Sequence, residues 1–338
     1  MKFIRRLLGT TIPSPKERLK VTESGSKIDI FRSNSPIWLV RSETMSSIAN
    51  EMSRKLGPDV LRTLRYAARD DWSMMLSEST ITWKGMDPAY WNDFDRLWKA
   101  DGHLHAAMIT DCDDARYVVE STSLSALASG SFSAALEHAL QNNIRVGVES
   151  QNEGVAFLNV DILEQSGIDS DLRELGTSPD IKKTGKALKI DEIRIDKNGG
   201  LTLFNSPLSI VPFRLFSLWE QSSSHLLPND DRASMIWSEH LANSVARAFI
   251  DSGEMVMIEN EGSWLEVGKN QLSKWGLGII DSVSTSGNKL RIMLRSDAQP
   301  SIPRGILIAC FQRATAKRIS PVGYTSDSGF ELIFDLNE

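Results

Sequence analysis

Few residue types in this sequence stand at spacings that chemistry could use. His103 and His105 alternate along a β-rich stretch, so a regular strand would point both to one face. Two imidazoles so placed can share a metal ion, but a zinc site takes three or four protein ligands and no third is evident. The expectation is a structural pair or exposed residues. Asp111, Asp113 and Asp114 look like part of a calcium loop. An EF-hand, however, needs a longer ligand series closed by a bidentate Glu, and a hairpin turn accounts for these residues. Ser129-Gly130-Ser131 lacks the Gly-x-Ser-x-Gly elbow and a paired His/Asp set. Cys112 and Cys310 are too few for a disulfide framework or a four-cysteine zinc site. No catalytic residue, no metal site and no cofactor is expected.

Tryptophan is the conspicuous residue type, with nine copies. Trp72, Trp83, Trp91 and Trp98 fall in one helical stretch, and Trp219, Trp237, Trp264 and Trp275 in another. Rings at such positions form either plain core or the lining of a pocket between helices and a sheet. The candidate ligand-contacting residues are Trp72, Trp98, His103, Trp237 and Trp275.

The elements that must position them are spelled twice. Gly130–Asp161 and Gly305–Leu336 share one plan: a glycine opening a small-residue helix, a β-rich run, a polar turn with a second glycine, and an alternating apolar run. The leading glycines lie 305 − 130 = 175 apart, and the turn glycines, Gly154 and Gly329, also lie 329 − 154 = 175 apart. One spacing kept by two glycines argues for one unit used twice. Further upstream, Ser35-Pro36 and Ser206-Pro207 open two apolar runs at an offset of 206 − 35 = 171.

Each copy then reads alike. In the first, Met45, Ile48, Met52 and Leu56 recur at helical spacing up to Gly57, and Pro58 starts a second helix that runs to about residue 77. Asp87-Pro88 opens a short helix ending at Gly102, and hairpins flank the small-residue helix. In the second copy the helices are expected at Phe213–Leu226, Asp230–Ser252 and around Leu265–Trp275. The expected organisation is an N-terminal tether over 1–27, a first copy over 28–163, a linker over 164–190 and a second copy over 191–338. Lys182, Lys183, Lys186 and Lys189 read as a solvated linker.

Composition bounds the rest. At 338 residues the chain can hold two ordinary domains, and its 41% hydrophobic and 24% charged content fits a soluble globular class. The net charge of −6 argues against nucleic acid as the main partner. No apolar run reaches the ~20 residues of a membrane-spanning helix. Met1–Gly9 is a basic amphipathic stretch, with Phe3, Ile4, Leu7 and Leu8 beside Lys2, Arg5 and Arg6. It reads as a frayed terminus or as a weak membrane-surface contact through residues 1–12.

The order strand pair, two long helices, short helix, hairpin, helix, hairpin resembles the 4-vinyl reductase domain, a family sharing its fold with a class of TRAPP vesicle-tethering subunits. Gln271–Leu294 and Gly305–Leu336 carry the likeness most fully, and the two copies together cover about four fifths of the chain. The resemblance implies an α+β fold, an antiparallel sheet packed against helices in each copy. It also implies helix-mediated pairing, here within one chain as a pseudo-dimer, and small hydrophobic ligands in sensing members. Cysteines that bind zinc in several members are missing from the closing segments, where Cys310 stands alone. The expected function is non-enzymatic: a binding or scaffold protein, subunit or assembly factor of an intracellular, cytoplasmic complex. The alternatives are a sensor or carrier of a small hydrophobic ligand and, on the family name alone, an accessory to tetrapyrrole metabolism.

Overall fold

The computed structural model describes residues 15–79, 81–110, 115–152, 154–163, 186–187, 193–196, 200–317, 322–326 and 329–336. The turn Asp111–Asp114, with Cys112, and the basic stretch 1–12 lie outside the described residues, as does most of the expected linker. The fold is mixed α+β, with antiparallel sheets packed on helices. Among the described residues, no helix is long and apolar enough to cross a membrane.

Three sheets organise the described residues. A seven-stranded sheet contains β1 (Leu19–Val21), β2 (Lys27–Asp29), β3 (Ser35–Arg41), β8 (Lys186–Ala187), β9 (Ile193–Ile195), β10 (Leu201–Leu203) and β11 (Ser206–Pro212), in the order β8-β1-β2-β3-β11-β10-β9. Its central strand β3 pairs antiparallel with β11, Ile37 opposite Pro212 and Arg41 opposite Leu208. Their sequences are near-continuous apolar runs because both faces are covered. Ile37, Leu39, Leu208 and Ile210 belong to one apolar cluster, Trp38, Val40 and Val211 to another. The two-residue turn Phe204-Asn205 joins β10 to β11 with both residues left-handed, φ 48° and 68°, the geometry that a tight hairpin demands. Ser33 and Asn34, ahead of β3, take the same conformation at φ 52° and 61°.

The other two sheets have four strands each. One consists of β4 (His103–Thr110), β5 (Ala115–Ser121), β6 (Ile144–Gln151) and β7 (Val155–Ile162), ordered β4-β5-β7-β6. The other consists of β12 (Ile279–Ser286), β13 (Lys289–Arg295), β14 (Val322–Ser326) and β15 (Gly329–Asp335), ordered β12-β13-β15-β14. Each sheet is two hairpins joined through a helix.

Among the described residues, the α-helices of seven residues or more are α1 (Ser42–Leu56), α2 (Asp59–Ser77), α3 (Phe94–Ala100), α4 (Ser125–Leu140), α5 (Phe213–Ser222), α6 (Ala233–Asp251), α7 (Glu261–Val267) and α8 (Ser301–Thr315). α2 packs along α4, and α6 along α8. The first helices cross over: α1 packs on α6, and α5 on α2. Trp219 Nε1 on α5 donates to the Val60 carbonyl at 2.9 Å, and the hydroxyls of Thr63 and Ser223 lie 2.6 Å apart.

Several expectations need correction. Order begins before Ile28: Pro15–Arg18 forms a helical turn and β1 enters the large sheet, so the stretch expected as a tether is partly core. Lys186 and Ala187, from the expected linker, pair with β1. Asp87 caps a 3-10 turn at Pro88–Tyr90, separate from α3. The expected helix around Leu265–Trp275 is α7 followed by a π stretch and a 3-10 turn. Gly130 and Gly305 do not open their helices; both lie inside, where neighbouring backbone comes very close. A Cβ on Gly130 would stand 2.1 Å from the Arg65 carbonyl oxygen, and one on Gly305 2.5 Å from that of Ala242. These glycines set the α2–α4 and α6–α8 spacing.

Gly130→Ala should therefore force the helices apart and cost about 1–3 kcal/mol of stability. Urea unfolding is the check. A change under about 0.5 kcal/mol, typical of a surface substitution, would contradict the close approach.

Candidate functional site

The most unusual chemistry in the fold is a buried cluster of six charges. Arg18 ends the first helical turn, Asp29 ends β2, Arg32 sits in the 3-10 turn after it, Asp71 lies on α2, Asp101 follows α3, and Arg214 lies in the first turn of α5. Arg18 donates to both Asp29 oxygens, with Nη2 at 2.6 Å from Oδ2, and to Asp101 Oδ1 at 2.9 Å. Arg32 pairs with Asp71 at 2.5 Å, with Asp101, and with Asp29 at 3.5 Å. Arg214 Nε donates to Asp71 Oδ1 at 2.5 Å and its Nη2 to the Asp71 carbonyl at 3.0 Å. Three cations face three carboxylates, so the cluster is neutral as a whole. Burial alone would hold Arg18 and Arg32 below their ordinary range, but the aspartates outweigh it and raise both. Burial likewise opposes ionised Asp71, and the charges of Arg32 and Arg214 hold its pKa below the usual carboxylate range.

His103 adjoins this cluster. Its ring packs at 4.2 Å from Trp98 and 6.4 Å from Trp72, and those two indoles meet edge-on at 5.7 Å. Nδ1 lies 3.3 Å from Ser121 Oγ. Burial and the nearby Arg32 charge push the imidazole down to about 3, so it is neutral throughout the physiological range. His105 is not its partner. The ladder slips between the two residues, His103 opposing Ser121 and His105 opposing Glu120, so a bulge leaves His103 buried and His105 exposed. Among the described residues no group of three or more His, Cys, Asp or Glu could hold a metal.

The structure brings Trp72, Trp98 and His103 together, and separates Trp237 and Trp275 from them. Trp98 and Trp237 are completely buried, and Trp237 meets Trp219 edge-on at 5.3 Å. These two are plain core. Trp275 is half-buried and lines a different cavity. Cys310 is buried inside α8, where burial raises its thiol to about 12.

Two cavities flank the β3–β11 pair. The ionic one, ≈ 30 Å³, is lined by Arg32, Asp71, Trp72, Asp101, His103 and Ser131 against Ile210, Val211, Pro212 and Leu215. It has room for one or two waters. Among the described residues, Arg32 Nε, 3.5 Å from Asp29 Oδ2, and Trp98 Nε1 are both buried without a hydrogen-bond partner. The apolar one, ≈ 50 Å³, is lined by Trp38, Val40, Phe249, Trp275, Leu277 and Ile306. Arg41 also lines it, paired to Glu254 at 2.6 Å and lying over the Trp275 ring at 5.9 Å. A third, ≈ 210 Å³, lies away from this junction between α2, α4 and β6.

Nothing in sequence spacing exposes the charge cluster, whose members span Arg18 to Arg214. The one local signal is Asp29 set between Ile28 and Ile30, a charge inside an apolar run.

Two outcomes follow from this geometry. Asp71→Ala leaves Arg32 and Arg214 short of a counter-charge and should cost about 3–5 kcal/mol. Asp95→Ala, which removes an exposed pair with Lys99, should cost less than about 1 kcal/mol. Equal losses in urea unfolding would contradict the reading. For His103, the folded ring stays neutral down to about 3, while an unfolded histidine takes up a proton near pH 6.5. Between those values unfolding binds a proton, so stability falls with falling pH by up to about 1.4 kcal/mol per unit. His103→Gln should be less stable at neutral pH yet lose less on acidification; an unchanged acid slope would refute the assignment.

Comparison of the chain with family models, with curated proteins and with solved structures finds no match.

Proposed function

We propose that the protein is a non-enzymatic scaffold, a subunit or assembly factor of a larger complex, built as an intrachain pseudo-dimer of residues 28–163 and 191–338. The register of β3 on β11 carries the pairing. A two-fold axis between two copies passes through a position that pairs with its own equivalent. The offset of 206 − 35 = 171 takes Leu39 to residue 210, and Leu39 pairs with Ile210. The cavities follow the same rule. Leu39, Val40, Arg41 and Thr44 line the apolar one, and Ile210, Val211, Pro212 and Leu215 line the ionic one, each 171 later (215 − 44 = 171). Trp275 and Leu277 stand 174 after Asp101 and His103 (275 − 101 = 174), and Ile306 stands 175 after Ser131 (306 − 131 = 175). Matching places with opposite linings support duplication followed by divergence. The order of hairpins and helices, the same in both halves, supports the resemblance to the 4-vinyl reductase and TRAPP folds.

Size favours scaffold over carrier. A drug-sized ligand fills roughly 300–1,000 Å³. The cavities at the junction measure ≈ 50 and ≈ 30 Å³. Neither approaches the volume of a tetrapyrrole. The titratable groups lining the ionic cavity, Arg32, Asp71, Asp101 and His103, are ion-paired or held neutral, which suits packing better than proton transfer. Met255 and Met257, 88% and 78% exposed after α6, are adaptable apolar side chains of the kind used against protein partners. A small apolar molecule is the second reading, favoured only by the Trp38–Trp275–Ile306 lining, and native mass spectrometry of the purified protein would reveal it as an added mass.

Purification of the tagged chain from its source should return a partner near equimolar ratio, and Met255→Lys with Met257→Lys should deplete it. Recovery of the chain alone would contradict the scaffold reading.

A further inference from the structure

The third cavity points to a binding site that the scaffold reading does not use. It lies between α2, α4 and β6, measures ≈ 210 Å³, and is lined by Arg65, Tyr66, Arg69, Ser133, Ile144 and Arg145. Three guanidinium groups gather here in a chain whose net charge is −6. Arg69 is committed: it grips Glu137 through two hydrogen bonds of 2.9 and 2.8 Å. Arg65 and Arg145 have no carboxylate within ion-pair distance among the described residues. The acids nearby are accounted for. Glu137 is satisfied by Arg69 and by the Ile144 amide at 3.4 Å, and Asp70 acts on Arg69. Asp161, opposite Arg145 across β6 and β7, makes no ion pair with it. The Arg65 guanidinium lies over the half-exposed Tyr66 ring at 5.3 Å, which holds it at the groove.

The other half shows that the fold does not require this charge. Gly130 abuts Arg65 and Ala68 just as Gly305 abuts Ala242 and Val245. These contacts set the local offset at 242 − 65 = 177. At that offset the places of Arg65, Tyr66 and Arg69 are taken by Ala242, Asn243 and Ala246. Helix packing is therefore served equally well by small neutral residues, and Arg65, unlike Arg69, has no carboxylate of the described residues to pair with.

We propose that this groove binds a phosphate monoester, with Arg65 and Arg145 as its two free guanidinium ligands. Planar forks match phosphate oxygens bidentately, and a cavity of ≈ 210 Å³ admits a phosphate with a short substituent. The phosphate arrives either on a small molecule or on a phosphorylated partner segment.

Isothermal titration of the full chain with phenyl phosphate and with a phosphotyrosine peptide tests the site. Saturable binding that weakens with added salt is expected. Arg65→Gln and Arg145→Gln should each weaken it roughly tenfold or more, while Lys289→Gln on β13 leaves it unchanged. Arg145 is exposed, so its substitution spares the fold; an unaltered melting temperature confirms that for both variants. Tighter binding of the peptide places the phosphate on a protein partner, and equal binding places it on a small molecule; both uphold the site. No saturable binding up to roughly 10 mM, or binding indifferent to both arginine substitutions, overturns it.

Discussion

The fold depends on the antiparallel pairing of β3 with β11. Five residue pairs, Ile37–Pro212 to Arg41–Leu208, join the two halves at the centre of the seven-stranded sheet. Leu39 and Ile210 fill one face, and Trp38, Val40 and Val211 the other. A strand buried on both faces cannot slip by one residue without turning each side chain to the wrong cluster. The register is thereby fixed, and with it the crossing of α1 onto α6 and α5 onto α2.

The two halves use that junction in opposite ways. On one side stand the charges of Arg18, Asp29, Arg32, Asp71, Asp101 and Arg214, and on the other Trp275, Leu277 and Ile306. A buried ion network gives little net stability over well-packed apolar residues, but removing one member is expensive. Its effect is to demand one arrangement. Arg214 reaches Asp71 only if α5 lies on α2, and Arg18 reaches Asp29 and Asp101 only if the N-terminal turn is docked.

Much of this was legible in the sequence, because periodicity and turn chemistry are local signals. Gly57 ends α1, Pro58 precedes α2, and the hairpins fall close to where alternating runs place them. Local signals also misled. The bulge after His103 breaks the face that alternation predicts. Gly130 and Gly305 are read as helix openers when their reason is the approach of a second helix, a tertiary fact. Trp98 and Trp237 are buried in two separate cores, the plain-core alternative that the sequence left open. The charge cluster was out of reach, because isolated Arg and Asp residues read as solvated surface until the sheet gathers them.

Native-state hydrogen exchange on the amides of β3 and β11 tests the central pairing most directly. If the halves meet as described, these amides exchange only through global unfolding, with protection at least equal to that of β5 and β13. Exchange of β3 and β11 at lower free energy, while the four-stranded sheets remain protected, would mean that the halves fold independently and would contradict the account.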